Sequence, residues 1–262
     1  MKNNQDLKIK FNPYNCFGLR EEWIINFFNK RTNLLENLNL GSVQQTSLLY
    51  YLKDIEFINK KRNLTILFNT IQSFFNQYTI YKKLIWSIIW INLSNKTAIF
   101  KNWLTLNKGK YNKNQILETI IDYYKQYNRH VENAYLALIG TIERTPIGSE
   151  LKQGIVIKEK GKRVVIKEGD PDISEIAIMY NLYKFAEQTS IYEFSLDEIE
   201  SNTLSPQKIF TISTKKTENL LKSSWDTNLF KILELEKSYK IKLYNNINSL
   251  DILKFFGDKN AI

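Results

Sequence analysis

Histidine and cysteine are almost missing from this 262-residue chain, which has one of each, His130 and Cys16. A single cysteine cannot close an internal disulfide, and one histidine without a cysteine or carboxylate cluster cannot build a zinc site. The same scarcity removes any Ser/His or Cys/His nucleophile pair, so His130 in "YNRHVEN" reads as structural. No Gly-rich phosphate loop is present: "EKGKRVV" lacks the Walker spacing and GxGxxG does not occur. Acidic pairs such as Asp170/Asp172 and Asp197/Glu198 fall at turn and cap positions, where carboxylates are ordinary. No apolar run approaches the roughly 18 residues of a membrane span, and the opening "MKNNQDLKIKF" has no apolar core of a secretion signal. These absences lead us to expect a cytoplasmic protein with no cofactor, no metal and no catalytic constellation, and so not an enzyme.

What the chain does have is apolar and aromatic mass. It is 43% hydrophobic with 15 Tyr, 15 Phe and 5 Trp, enough for one large or two modest cores. The net charge is +10, which favours a polyanionic partner. Arginine is scarce (residues 20, 31, 62, 129, 144 and 163) while Lys, Asn and Ile are abundant, a bias that an AT-rich genome also produces. The charge is uneven, however: +4 over 1–78, +7 over 79–130, −5 over 131–204 and +4 over 205–262. Basic ends around an acidic centre fit two nucleic-acid-facing regions flanking a protein-facing middle.

Helical periodicity dominates the first third. Glu21 to Arg31 puts Trp23, Ile24, Phe27 and Phe28 on one stripe, with acids in the first turn and bases in the last. A short segment over 33–38 and the Leu40-Gly41 break follow. Ser42 is the N-cap candidate for a helix to Lys53, with Leu48, Leu49 and Leu52 facing inward. "NKKRN" is a basic turn, and "LTILF" reads as a strand. Helix, short helix, glycine turn, helix and basic hairpin is the order of a winged helix-turn-helix, whose third helix lies in the major groove. On that reading Gln44, Gln45, Ser47, Tyr50 and Lys53 would face bases, while Lys60, Lys61 and Arg62 on the wing would meet phosphates. Gln, Ser and Thr at a helix start are also normal capping chemistry, and many winged helices bind protein instead.

Residues 79–150 read as a helical linker domain, with Trp86, Ile89, Trp90 and Leu93 on one face and Leu117, Ile120, Ile121 and Tyr124 on another. The loop "NWLTLNKGKYNKNQ" adds Lys108, Lys110 and Lys113. From Gly154, two β-branched runs around Lys160-Gly161-Lys162 form the clearest hairpin. A helix then runs from about Asp172, "SLDE" fits a capping box, "KIFTIS" is strand-like, "TKKTENLLKSS" is a helix, and two strands meet at Lys237-Ser238. This order suggests a second, degenerate winged-helix unit over about 173–246, with Lys215, Lys216, Asn219 and Lys222 on its third helix. The expected fold is therefore α+β and mainly helical: an N-terminal winged-helix domain (1–78), a helical linker domain (79–150) and a winged-helix-like α+β domain (151–262).

"FGLREEWI" followed by "NLGSVQQTSLLYYLKDIEFI" resembles a bacterial family of unknown function, domain family four thousand and seven. The resemblance rests on a Phe-x-x-Arg-x-x-Trp core (Phe17, Leu19, Arg20, Trp23), then Leu40-Gly41 and the helix over 43–53. Weaker similarity touches "NRHVENAYLALIGTI", "SPQKIFTIS" and "LDILKFFG". The chain departs from the family in carrying Tyr14-Asn15 in place of a His-Glu pair, and Gln44 and Gln45 in place of a basic residue. The family's genes sit beside phosphoadenosine-phosphosulfate-reductase-like (PAPS-reductase-like) genes in loci related to DNA phosphorothioation and anti-phage defence. The resemblance implies a non-catalytic partner that binds double-stranded DNA and docks the PAPS-reductase-like enzyme, with Phe17, Arg20, Trp23 and Gly41 structural or docking. The alternative is a protein-interaction scaffold that touches no nucleic acid.

Overall fold

The computed structural model describes residues 11–30, 40–170, 172–223, 229–235 and 238–259. Among them the fold is α+β, about 59% helical, with two small three-stranded sheets. Helix α1 (Glu21–Lys30) buries Trp23, Ile24, Phe27 and Phe28, the stripe its spacing predicts. The short helix expected over 33–38 lies outside the described residues. Helix α2 (Ser42–Asp54) is capped by Gly41 rather than Ser42, and Gly41 is extended at φ −62° with no side-chain cap bond. The turn needs neither a positive φ nor a small residue here, since a Cβ on Gly41 would meet nothing within 4 Å.

The first expected wing does not form. Residues 59–63 are a turn closed by a single antiparallel bridge, Ile58 to Leu64. "LTILF", read as a strand, opens helix α3 (Ile66–Phe75). Two local features decide this. The Thr65 side chain accepts from Phe68 N and caps the helix, and Leu67, Phe68, Ile71 and Phe74 form a buried stripe at helical spacing that continues past the short apolar run.

Helix α4 (Tyr78–Lys96) is the axle of the molecule. It is buried on every side from Leu84 to Asn95 and packs against α2 and α3, and against elements introduced below. The face of Trp86, Ile89, Trp90 and Leu93 is therefore only part of what the helix buries, since Ile85, Ile88, Ile91 and the polar Ser87, Asn92, Ser94 and Asn95 are buried as well. It leads to α5 (Ala98–Thr105), strand β1 (Gly109–Asn112), α6 (Lys113–Tyr124), α7 (Arg129–Glu143), the short α8 (Pro146–Ser149) and the hairpin β2 (Ile155–Glu159) and β3 (Lys162–Lys167). The hairpin turns on Lys160 (φ 46°) and Gly161 (φ 76°), a two-residue loop with both residues left-handed, which suits strand twist. β1 pairs antiparallel with β3, giving sheet order β1-β3-β2 across the expected 150/151 boundary.

The rest of the chain runs α9 (Glu175–Thr189), β4 (Glu193–Phe194), α10 (Leu196–Ile199), α11 (Pro206–Phe210), α12 (Thr214–Ser223), β5 (Phe230–Leu235), β6 (Ser238–Leu243) and α13 (Ser249–Lys259). "KIFTIS", expected as a strand, is helical through Phe210, because Ser205 caps it and Pro206 takes the first helical position. The capping box at Ser195 and Glu198 is present as expected. β4 pairs with β6, giving sheet order β4-β6-β5.

Two stretches therefore share one plan. Residues 98–167 run helix, strand, helix, helix, hairpin, and residues 175–243 do the same, with α8 and α11 as short additions. In both, the lone first strand pairs with the last strand of the hairpin. α4 lies between them, touching α5 and α8 of the first and α9 and α11 of the second. One continuous apolar cluster runs from Phe11 to Leu253 through all three expected domains.

Candidate nucleic-acid interface

On α2 the expected outward edge is only partly outward. Ser47 is fully buried, and its hydroxyl donates to Tyr14 O at 2.9 Å and to Val43 O at 3.0 Å. A buried hydroxyl spent on backbone carbonyls cannot reach a base, so Ser47 leaves the set of contact residues. The true inward stripe is Ser47, Leu48, Tyr51 and Leu52, with Leu49 half-buried. Gln44 is half-buried, and Gln45 donates from its side chain to Leu40 O at 3.0 Å. Tyr50 packs against the core, with the Lys53 ammonium 5.8 Å from its ring centre. Lys60, Lys61 and Arg62 are exposed on the turn before α3 and make no ion pair among the described residues. Asn59 shapes that turn by accepting from the backbone N–H of Lys61 and Asn63, and Arg62 takes φ 66°.

The Phe17–Trp23 motif is a seam. Gly18 lies so close to α7 that a Cβ there would sit 2.2 Å from Gly140 C and Thr141 N. Leu19 N donates to Thr141 Oγ1 at 2.9 Å, and the Tyr51 hydroxyl reaches both Phe17 O (3.1 Å) and Thr141 Oγ1 (3.0 Å). Arg20 lies 5.1 Å from the Trp23 ring and pairs with Glu22 at 3.3 Å. Beneath this seam, the Tyr14 hydroxyl donates to Asp54 Oδ2 at 2.6 Å, Thr97 does so at 3.2 Å, and Tyr14 stacks on Tyr51 at 3.7 Å. Burial pushes the Asp54 carboxyl above its ordinary range, though the Tyr14 and Thr97 hydrogen bonds pull it part of the way back. The motif thus clamps the N-terminal segment and α2 onto the C-terminal half of α7.

Residues of α7 that a groove would meet are covered in its second half by the chain's own Gly18 and Leu19, whereas its start leaves Arg129 and His130 exposed. α12 is more open. Lys215, Asn219 and Lys222 are exposed and share one face at i, i+4, i+7 spacing; Lys216 is half-buried. Lys222 is paired with Glu218 at 2.9 Å. On the first hairpin Lys158, Lys160 and Lys162 are exposed without a carboxylate partner among the described residues, while Lys110 pairs with Glu159 and Arg163 with Glu143. On the second, Lys240 and Lys242 face Glu198 and Glu193 at 3.8 and 3.7 Å. α2 packs on α4, while α12 packs on α9, α10 and α11, so the two expected contact helices belong to separate surfaces.

Two charged groups escaped sequence reasoning. Glu56 joins Lys184 (2.7 Å) and Lys96 (3.0 Å); burial raises its carboxyl, but the two lysines more than offset that and hold it below its usual range. Lys167, the last residue of β3, is 1% exposed and donates to Trp103 O (3.0 Å) and Leu106 O (2.7 Å). Burial, reinforced by repulsion from Lys208, lowers its pKa to about 7. In "VVIKEGD" nothing distinguishes Lys167 from a surface lysine, because its partners lie some 60 residues away. Among the described residues no three His, Cys, Asp or Glu side chains gather as metal ligands would, and no helix is long and apolar enough to cross a membrane.

No protein-family model matches the chain, and no curated protein matches it. Two solved structures are similar in fold. A magnesium ion-bound SspB crystal structure aligns with TM-score 0.71 and 12% identity, over 95% of this chain and 88% of that one. An SspB crystal structure aligns with TM-score 0.67 and 10% identity, over 95% and 87%. Similarity of fold over nearly the whole length, at identities this low, is a likeness of architecture.

Proposed function

We propose that this chain is a DNA-binding, partner-docking subunit of a bacterial DNA-modification or anti-phage defence system, and that a PAPS-reductase-like partner supplies the sulfur chemistry. The observation that carries this reading is the repeated helix–strand–helix–helix–hairpin plan, with unpaired lysines on the first hairpin and an open basic face on α12. In a winged helix-turn-helix the helix before the hairpin enters the major groove and the wing meets phosphate. α12 holds that place in the second unit, with Lys215 and Asn219 as its outward residues. The first unit contributes Lys158, Lys160 and Lys162, since its own third helix is half-covered by the N-terminal seam. Lys60, Lys61 and Arg62 add a second basic turn without ion pairs among the described residues. The likeness of fold to the SspB structures is compatible with this reading, and further support comes from the resemblance at residues 17–24 and 39–58.

Phosphate contacts would set affinity and α12 would set preference. Binding to a short duplex should therefore weaken linearly on a log–log salt plot, by a slope of about −0.9 per phosphate neutralised. Replacing Lys158, Lys160 and Lys162 with Gln should flatten that slope for every sequence alike, whereas Asn219→Ala should change the ranking of sequences. Salt-independent or undetectable binding, with a PAPS-reductase-like protein still co-purifying, would leave the scaffold reading in its place.

A further inference from the structure

Where the two repeated units meet, a cavity of about 190 Å³ is lined by Lys108, Lys167, Lys208, Gln207, Thr211 and Glu200, among others. A single water needs only ~10–15 Å³ measured this way, so the space is far larger than one solvent molecule. Its charge is lopsided, with three ammonium groups against one carboxylate. Lys167 uses two of its three N–H groups on the carbonyls of Trp103 and Leu106 and has no carboxylate partner among the described residues. Gln207 is only 4% exposed, and its Nε2 is committed to Leu196 O at 2.9 Å. Its Oε1 is buried with no partner among the described residues. A buried acceptor without a donor is destabilising, so a group that donates is favoured there.

We propose that this cavity binds inorganic phosphate as its singly protonated dianion, with Lys167, Lys208 and Lys108 around its oxygens and its P–OH donating to Gln207 Oε1. The two demands select the ligand. Three lysines ask for a compact dianion, and a lone acceptor inside a cationic site asks that the dianion still carry a proton. Sulfate meets the first demand and fails the second. A bound dianion would also keep Lys167 fully charged at neutral pH, where burial and Lys208 otherwise weaken its hold on the proton. The site draws on both units (Lys108 and Lys167 from the first, Gln207, Lys208 and Thr211 from the second), so occupancy would tie them together. The proposal does not depend on DNA binding by the outer surface.

Titration of the full chain with inorganic phosphate and with sulfate at low ionic strength, followed by calorimetry or amide chemical shifts, tests it. Phosphate should bind saturably and about tenfold more tightly than sulfate. Lys208→Gln, a half-buried position whose loss leaves the fold intact, should weaken both anions about tenfold. Gln207→Met should bring phosphate down to the sulfate level and leave sulfate unchanged. A 5′-phosphorylated dinucleotide, whose dianion has no P–OH, should compete no better than sulfate; competition by it at phosphate's own affinity would overturn the donation to Gln207 Oε1. No saturable phosphate binding up to about 50 mM, or equal affinities for both anions in all three proteins, would overturn the proposal.

Discussion

Replacing Gly18 with Ala is the sharpest test of how the N-terminal motif works. The added methyl would lie 2.2 Å from two backbone atoms of α7 and 2.6 Å from a third, Gly140 Cα. Backbone inside a packed helix cannot swing aside as a side chain can, so the segment must lift by about 1.2 Å to restore an ordinary 3.4 Å contact. Overpacking of this kind costs about 1–3 kcal/mol. Lifting also stretches the bonds from Leu19 N to Thr141 Oγ1 and from the Tyr51 hydroxyl to Phe17 O, each contributing ~0.5–1.5 kcal/mol. The sum is roughly 2–6 kcal/mol, a large part of a domain's whole stability. The reverse substitution is informative. Gly140→Ala puts its methyl 3.2 Å from Gly18 Cα, a milder contact that ~1 kcal/mol of helix propensity offsets, so it should be near neutral. Urea unfolding at 25 °C with unchanged m-values measures both. A cost below about 1 kcal/mol for Gly18→Ala, or a larger cost for Gly140→Ala, would refute the seam and free the face of α7 for other contacts.

Three further outcomes follow from the same geometry. Lys167 holds its proton less tightly folded than unfolded, so the unfolded chain binds more protons between pH 7 and 10; stability should rise with pH from about 7 to 9, by roughly 2–3 kcal/mol, and Lys167→Met should flatten that rise in thermal melts. Tyr14→Phe strips a donor from the half-buried Asp54 carboxylate and should cost about 1.5–3 kcal/mol in chemical denaturation, whereas Asp54→Asn, which keeps an acceptor and removes a half-buried charge, should cost less. Replacing Lys60, Lys61 and Arg62 together with Gln should leave the melting temperature within about 1–2 °C of the parent, since all three are exposed, while weakening duplex binding without regard to sequence.

The local parts of this fold were readable from the chain. The α1 stripe, the Ser195 capping box and the hairpin at Lys160-Gly161 are each set by residues within a few positions of one another. What could not be read depended on distant partners. Ser47 looked like an outward polar residue because its acceptor, Tyr14 O, lies 33 residues away. "LTILF" and "KIFTIS" are short apolar runs whose length suits a strand or one helical turn equally, and Thr65 and Ser205 settled the matter as caps. The repeat over 98–167 was hidden for a different reason: β1 is four residues long, reads as a basic loop, and becomes a strand only by pairing with β3. Of the expected contact residues, Lys60, Lys61, Arg62, Lys215 and Asn219 were placed on the surface correctly because turns and helix faces are local properties. The cavity around Lys167 had no local signature at all.

The central claim is that the exposed lysines of the hairpin and of α12 meet duplex phosphate, and one measurement addresses it most directly. Affinity for a short duplex should be followed from about 50 to 200 mM salt for the parent chain and for the Lys158, Lys160, Lys162→Gln variant. The account predicts a steep linear log–log fall for the parent and a slope shallower by up to about 2.7 for the variant, at 0.9 per lost phosphate contact. Identical slopes for the two proteins would contradict it.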